Sequence, residues 1–334
     1  MHASTRPSPK AILRAANVPA FLVSDLTNIR YLTGLEASAG SLLVSASGYE
    51  LFLDGRYLEA AKSAVRRGIK LRPAAAFVDR LKTVRRIGIE SESVTLQRFG
   101  IWQKKFKNTK FVQTAGVVAA FRRAKQVDER KNIRVACVMT KKVLAKIPSW
   151  LKSGITEREL AWKIDTACRT LGADGMAFET IVGFGESTAR PHHHPTDRKL
   201  GKKDIVQIDM GAAFRGYASD YSRVFFIAKP TAEQAKALKA VQAAKRSAER
   251  LIRIGASTRS LDRAARETLR TFGFDKEFCH ALGHGLGLDI HEGVTISEKA
   301  PDLKILKNEV ITVEPGLYFD GRFGIRLEDT IIVS

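Results

Sequence analysis

Two stretches of this chain read as β-hairpins, and each carries an acid at the end of an apolar strand. In DIVQIDMGAAFRGYASDYSRVFFIA, Asp209 follows IVQI and Asp220 follows a reversal of the chain. In NEVITVEPGLYFDGRFGIRLEDTIIVS, Glu314 follows VITV, Asp320-Gly321 supplies turn chemistry, and Glu328 lies on the return strand. An acid at the end of a buried strand is seldom left without a partner, because a desolvated carboxylate is costly. Ten residues separate Asp209 from Asp220, an even number that lets the two face each other across an antiparallel ladder. Carboxylates held that close repel unless one is protonated or a cation lies between them. Thirteen residues separate Glu314 from Glu328, so these two converge only through a bulge or an odd-length loop.

The histidines supply a further donor. FCHALGHGLGLDIHEG, residues 278–293, holds three of the seven, and three more stand together in ARPHHHPTD. His280 and His284 have helical spacing, but Gly283, Gly285 and Gly287 oppose a helix, each costing about 1 kcal/mol against alanine. On an extended segment both histidines share a face, and the glycines let backbone approach closely. Each histidine alone fits a satisfied polar core residue; together with the acids it completes a set of four carboxylates and one imidazole. That mix suits Mn²⁺, Co²⁺, Fe²⁺ or a catalytic Zn²⁺ pair and is poor for structural zinc. The three cysteines, Cys137, Cys168 and Cys279, are odd in number and lack CxxC spacing, so neither a disulfide framework nor a thiolate zinc site is expected. Cys279, although beside His280, reads as a small buried side chain.

Elsewhere the pattern divides the chain in two. AFLVSD, GSLLVSASG, YELFLDG, IKLRPA and RIGIES read as strands and LEAAKSAVRR as an amphipathic helix, giving a small α/β domain over residues 1–123. From Val127 helical periodicity runs about twenty residues toward Pro148, and Thr156 with Glu159 forms a capping box that announces a second helix. These open a second domain, residues 124–334. FETIVGFG reads as a strand, and helices over AEQAKALKAVQAAKRSAERLI and SLDRAARETLRTFG separate the hairpins.

No apolar run approaches the ~20 residues of a membrane-spanning helix, and the N-terminus, basic but without an apolar core, reads as a leader-less, cytoplasmic start. The net charge is 56 − 35 = +21, and residues 1–125 carry 22 basic against 8 acidic side chains. Such a surface attracts nucleic acid, acidic partners or anionic membrane. It lacks interleaved aromatics and any helix-turn-helix or zinc-finger spacing, so it reads first as a solvated basic face and only secondarily as a nucleic-acid surface.

Taken in order, IDMGAAFRGYASDYSR, HALGHGLGLDIHEG, VEPGLYF and GIRLEDT resemble the motifs of the pita-bread dinuclear metallopeptidases. NIRYLTGL, FLDGRY and ARPHHHPT look like the Xaa-Pro branch, prolidase and aminopeptidase P, and the resemblance runs from about residue 18 to the end. It implies an α+β fold in which a C-terminal pita-bread (creatinase/aminopeptidase-like) domain follows a smaller creatinase-like N-terminal α/β domain. It implies metal ligands at Asp209, Asp220, His284, Glu314 and Glu328, with Asp220 and Glu328 bridging two divalent ions (Mn, Co, Zn or Fe). His192 aligns with the family's PH motif, ahead of His193 and His194; His280 and His291 match two further active-site histidines, and Arg326 an arginine behind the ligands. The implied reaction is hydrolysis of the Xaa-Pro bond in dipeptides or short peptides by a hydroxide held between the ions. Glu314 would accept or relay its proton, His280 would donate to the oxyanion, and His192 and His291 would hold the substrate's carboxylate or carbonyl groups. The family also suggests a homodimer. Three readings stay open beside this one: a same-scaffold hydrolase of a non-peptide amide, a partner-binding protein of this fold without chemistry, and nucleic-acid binding through the basic N-terminal part.

Overall fold

The computed structural model describes residues 6–334. The chain forms two compact units, one ending at Arg122 and one beginning at Arg123. The N-terminal unit runs α1 (Pro9–Ala16), β1 (Ala20–Val23), α2 (Leu26–Thr33), β2 (Ser41–Ser45), β3 (Gly48–Leu53), α3 (Gly55–Ala64), β4 (Ile69–Pro73), α4 (Ala76–Lys82), β5 (Arg86–Glu90), α5 (Leu96–Lys105), β6 (Lys110–Thr114) and α6 (Val117–Arg122). Ser8, Asp25, Asp54 and Thr95 start four of these helices, each side chain accepting a hydrogen bond from a backbone N–H of the first turn. The strands form one six-stranded sheet in the order β4-β3-β2-β1-β5-β6. β1 is parallel to β5, β5 to β6 and β3 to β4, while β2 runs against both β1 and β3. Five strands therefore start at one end of the sheet. Leu22, Leu43, Phe52, Ile87, Ile89 and Trp102 are buried in its core.

The C-terminal unit continues with α7 (Val127–Leu144), α8 (Ile147–Trp150), α9 (Glu157–Thr170), β7 (Gly175–Met176), β8 (Ile181–Phe184), β9 (Ile205–Met210), β10 (Ala212–Phe214), β11 (Tyr217–Ala218), β12 (Tyr221–Phe226), α10 (Ala232–Glu249), α11 (Thr258–Thr271), β13 (Gly283–His284), β14 (Thr295–Ile296), β15 (Val310–Val313), β16 (Gly316–Phe319), β17 (Phe323–Arg326) and β18 (Asp329–Ile332). The helix expected to reach Pro148 stops at Leu144, and Pro148 sits in the first turn of the short α8, where its missing N–H costs nothing. The capping box of Thr156 and Glu159 opens α9 as its spacing requires. Two cores result: Ile133, Val143, Leu160 and Ile164 of α7 and α9 pack with Val182, Val206 and Ile208, and Val241, Ala244, Leu261 and Ala265 of α10 and α11 pack with Ile311, Val313, Leu317 and Ile325. Among the described residues no helix is long and apolar enough to cross a membrane.

The two hairpins acquire different registers. In the first, Asp209 lies opposite Ser222 and not Asp220, and beyond a break Phe214 lies opposite Tyr217. The turn is Arg215-Gly216, both left-handed with φ 51 and 77, the geometry of a type I′ turn. It sits one residue later than a symmetric loop between the two acids requires, so Asp220 stands diagonal to Asp209, on the same face. The ladder breaks near Gly211, and the freed groups are satisfied from outside: Ala212 N–H donates to Thr140 Oγ1 of α7 at 3.0 Å, and Asp220 N–H donates to Thr330 Oγ1 at 2.9 Å. In the second hairpin, Val313 faces Asp329 and Gly316 faces Arg326, a single register that sets Glu314 opposite Glu328. Its connection, residues 320–322, is odd in length with Gly321 at φ 66, which supplies the condition the residue count demands. Gln207 stitches the hairpins together: its Oε1 accepts from Arg326 N–H at 2.8 Å and its Nε2 donates to Arg326 O at 3.2 Å.

Candidate metal centre

Asp209 ends β9, Asp220 enters β12, His284 ends β13, Glu314 links β15 to β16, and Glu328 links β17 to β18. All five line one cavity of about 590 Å³, together with His192, His280, His291 and Arg326. Donor atoms of Asp220, His284 and Glu328 lie within 4.8 Å of one another. His284 Nε2 is 3.6 Å from Asp220 Oδ2 and 3.4 Å from Glu314 Oε1. Its Nδ1–H donates to Gly285 O at 3.1 Å, which leaves the Nε2 lone pair facing the acids. Burial, with His291 adding, holds the His284 pKa down at about 4, so the ring is neutral near pH 7 and forms no ion pair.

The carboxylates carry the same signature. Asp209 Oδ1, Asp220 Oδ1 and Glu328 Oε1 are buried with no hydrogen-bond partner among the described residues. Burial and then the charge of neighbouring acids push Asp220 and Glu328 well above the ordinary carboxylate range. Burial likewise lifts Glu314 to about 8, against the pull of Arg326. Orphaned anionic oxygens converging on a neutral imidazole lone pair are costly by themselves and become favourable around divalent cations. The donor set, oxygen-rich with one nitrogen, fits such ions.

Arg326 organises the acids from behind. Its Nη2 donates to Asp209 Oδ2 at 2.6 Å, Nη1 to Tyr318 Oη at 2.6 Å, and Nε to Ser222 Oγ at 2.9 Å. Ser222 in turn donates to Glu328 Oε2 at 3.0 Å. Burial works against the guanidinium charge, but Tyr318, Asp209, Glu328 and Glu314 hold it charged. One oxygen of Asp209 and one of Glu328 are thereby fixed, and the other of each is turned away from its own anchor.

His280 is arranged otherwise than expected. Its Nδ1–H donates to Ala281 O at 2.8 Å, which makes Nε2 an acceptor for the Tyr318 hydroxyl at 3.0 Å. Burial, followed by the charge of Arg326, depresses its pKa to about 4. A neutral ring in this tautomer offers no Nε2 proton to an oxyanion; it holds Tyr318 instead. Sequence reasoning gave Tyr318 no role, although period-2 alternation puts it on the face of Glu314. Gly316, between them, makes room: a Cβ there would lie 2.6 Å from Tyr318 Oη.

The three consecutive histidines separate by function. His192 and His194 are exposed at the cavity, while His193 is buried with Nε2 2.8 Å from Glu157 Oε2. Glu157, fully buried, also accepts from Thr196 Oγ1 at 2.6 Å and Phe184 N–H at 2.8 Å, tying down the loop that presents His192. His194 Nδ1 lies 3.0 Å from exposed Glu179. The glycines of HALGHG act through backbone contact: a Cβ on Gly283 would stand 2.1 Å from Thr312 O, and one on Gly285 2.2 Å from Glu292 O. Cys279, expected to be buried, is exposed. Alternation along the extended segment turns Phe278 into the core and the next side chain outward.

Known proteins resemble this chain over both units. Residues 131–334 match the pattern of Metallopeptidase family M24, and residues 9–124 that of the Creatinase/Prolidase N-terminal domain. A protein named Xaa-Pro dipeptidase from Pyrococcus horikoshii is 29% identical over 95% of this chain and 91% of its own length. Among solved structures, the prolidase from Pyrococcus horikoshii OT3 superposes with a TM-score of 0.92 at 28% identity, covering 98% of this chain and 95% of that one. The X-Pro aminopeptidase from Thermotoga maritima superposes with a TM-score of 0.87 at 32% identity, covering 96% and 94%.

Proposed function

We propose that this chain, which belongs to Metallopeptidase family M24, hydrolyses the peptide bond preceding proline in dipeptides or short peptides. The observation that carries the reading is the convergence of four carboxylates and one neutral imidazole, three of the acids with an orphaned oxygen, in one cavity. The names of its relatives, Xaa-Pro dipeptidase, prolidase and X-Pro aminopeptidase, support the substrate class. In this reading residues 124–334 are the catalytic domain, residues 1–123 are the accessory one, and the protein acts as a cytoplasmic homodimer.

Asp209, Asp220, His284, Glu314 and Glu328 would hold two divalent ions. When bound, such ions acidify water and polarise a carbonyl oxygen. The chain's own groups do the rest. Glu314 would take the proton of the attacking water and pass it to the proline nitrogen as the bond breaks. Arg326 would keep Asp209 and, through Ser222, Glu328 oriented. His280 would hold the Tyr318 hydroxyl beside Arg326, and His192 and His291 would hold substrate carbonyl or carboxylate groups. An Xaa-Pro bond is a tertiary amide without an N–H, so a site that grips carbonyl and carboxylate oxygens suits it.

The test is hydrolysis of Ala-Pro, Gly-Pro and a longer Xaa-Pro peptide by chelator-stripped protein, with Mn²⁺, Co²⁺ or Zn²⁺ restored, beside Asp220→Ala. Metal-restored cleavage that the variant lacks is the expected result, and the dipeptide-to-longer ratio then assigns the branch. Tight metal binding without cleavage of any of these would overturn the substrate and direct attention to non-peptide amides.

A further inference from the structure

The basic excess of the N-terminal unit is not spread over its surface. β1, β3, β4, β5 and β6 all begin at one end of the sheet, and the connections that reach that end carry the cations. Exposed Arg67 and Lys70 stand at the start of β4, Arg85 at the start of β5, and Lys107 and Lys110 at the start of β6. Next to β1, a depression is lined by Lys10, Arg14, Asn17 and Arg86. Lys104 and Lys105 close α5 at the same end.

The acids are elsewhere or already engaged. Asp25, Asp54, Glu90 and Glu92 lie at the opposite ends of β1, β3 and β5. The other four pair with bases: Glu36 with Arg30, Glu50 with Arg72 and Arg80, Glu59 with Lys62, and Asp79 with Lys82. Helix C-termini favour cations, which accounts for Arg14, Lys104 and Lys105. It does not account for Arg67, Lys70, Arg85, Lys107 and Lys110, which lie in connections and strand starts and have no carboxylate partner among the described residues.

We propose that this end of the N-terminal sheet is a binding surface for the phosphodiester backbone of a single-stranded nucleic acid. From β4 to β6 the row crosses five strand spacings, roughly 24 Å at ~4.8 Å each, long enough for one strand to place several successive phosphates along it. A line of fixed cations matches a linear polyanion. Binding to a lipid surface combines charge with inserted apolar side chains, and here those point elsewhere: exposed Leu26 and Leu96 begin α2 and α5, at the acidic end, and Ile101 is in the middle of α5. Without stacked aromatics the contact is to phosphates and is sequence-tolerant and salt-dependent. The surface belongs to the N-terminal unit, and the proposal stands independently of the peptidase assignment.

The test uses the full chain with a labelled single-stranded RNA of about 20 nucleotides, titrated at several salt concentrations. The variant Arg85→Glu/Lys107→Glu/Lys110→Glu is compared with a control carrying the same charge change on the other unit, Lys202→Glu/Lys203→Glu/Lys299→Glu. Expected is at least tenfold weaker binding at the basic end, under threefold in the control, and a salt slope reduced by about 2, from three lost phosphate contacts at ~0.7 each. The glutamine version of the first variant should be intermediate, and both should keep the wild-type Tm and circular-dichroism spectrum, which shows that they fold. Equal weakening in both glutamate variants would reduce the effect to net charge and overturn the proposal. So would wild-type protein that releases RNA by ~150 mM salt, or that pellets with phosphatidylserine/phosphatidylcholine vesicles or holds polyglutamate while leaving RNA free.

Discussion

The two hairpins deliver the same chemistry by different geometry. In the second, a three-residue connection sets Glu314 directly opposite Glu328 within one register. In the first, the Arg215-Gly216 turn slides the ladder so that Asp209 faces Ser222, and Asp220 reaches the centre diagonally, through a break patched by Thr140 and Thr330. What the pairs share is the face of the strand, which parity and loop length control. What differs is the register, which the turn decides. Ser222, occupying the place opposite Asp209, is then free to carry the hydrogen bond from Arg326 to Glu328.

If the hairpins are equivalent in function despite this difference, removing the inner acid of either one should do the same damage. Asp220→Asn and Glu328→Gln are each expected to lower kcat by on the order of 1000-fold, about 4 kcal/mol, and to weaken metal binding measured by calorimetry. A variant retaining near-normal turnover would show that its hairpin is structural only.

The glycines should separate the hairpins instead. A Cβ on Gly211 would lie 1.8 Å from Ser219 O, a backbone atom that cannot step aside, whereas one on Gly316 would meet the tip of Tyr318 at 2.6 Å. Gly211→Ala is therefore expected to cost roughly 1–3 kcal/mol of stability, read by urea denaturation. Gly316→Ala should change Tm little and reduce turnover by displacing Tyr318 from His280 and Arg326. The reverse pattern would break the comparison.

A pH series on chelator-stripped protein sharpens it further. Asp220 and Glu328, one from each hairpin, and Glu314 have folded-state pKa values raised above their unfolded ones, Glu314 to about 8. Between the unfolded value and the folded one, the native state binds more protons, so stability falls as pH rises. Below about pH 6.5 the depressed His280 and His284 act in the opposite sense, so Tm should decline between about pH 6.5 and pH 8, and added Mn²⁺ should flatten the decline by binding the ionised acids. A Tm that rose over this window in the stripped protein would contradict the assigned clustering. The smallest effect is expected at the stitch between hairpins: Gln207→Ala leaves the Arg326 backbone unpaired, at a cost of about 1–2 kcal/mol, with the loss of activity following the loss of stability.

Much of this is legible in the sequence. Acids after IVQI and VITV announce buried carboxylates, glycines in HALGHG exclude a helix, and Thr156 with Glu159 marks a helix start; each depends on neighbours within a few positions, where strand and helix periodicities act. The condition on Glu314 and Glu328 was also legible as a parity, though not the loop that meets it. Cys279 was misread because an isolated cysteine carries no periodic signal, while the alternation of Phe278 and His280 around it did.

Backbone periods and side-chain chemistry, both local, were enough to say which side chains share a strand face and which residue types could hold a cation. Long-range packing set the first hairpin's register, the tautomer of His280, the place of Tyr318 between His280 and Arg326, and the gathering of the N-terminal cations at one sheet end. Those outcomes depend on turns sliding against ladders and on residues more than thirty positions apart meeting through space, as His280 meets Tyr318 across a sequence separation of 38, and no local period encodes them.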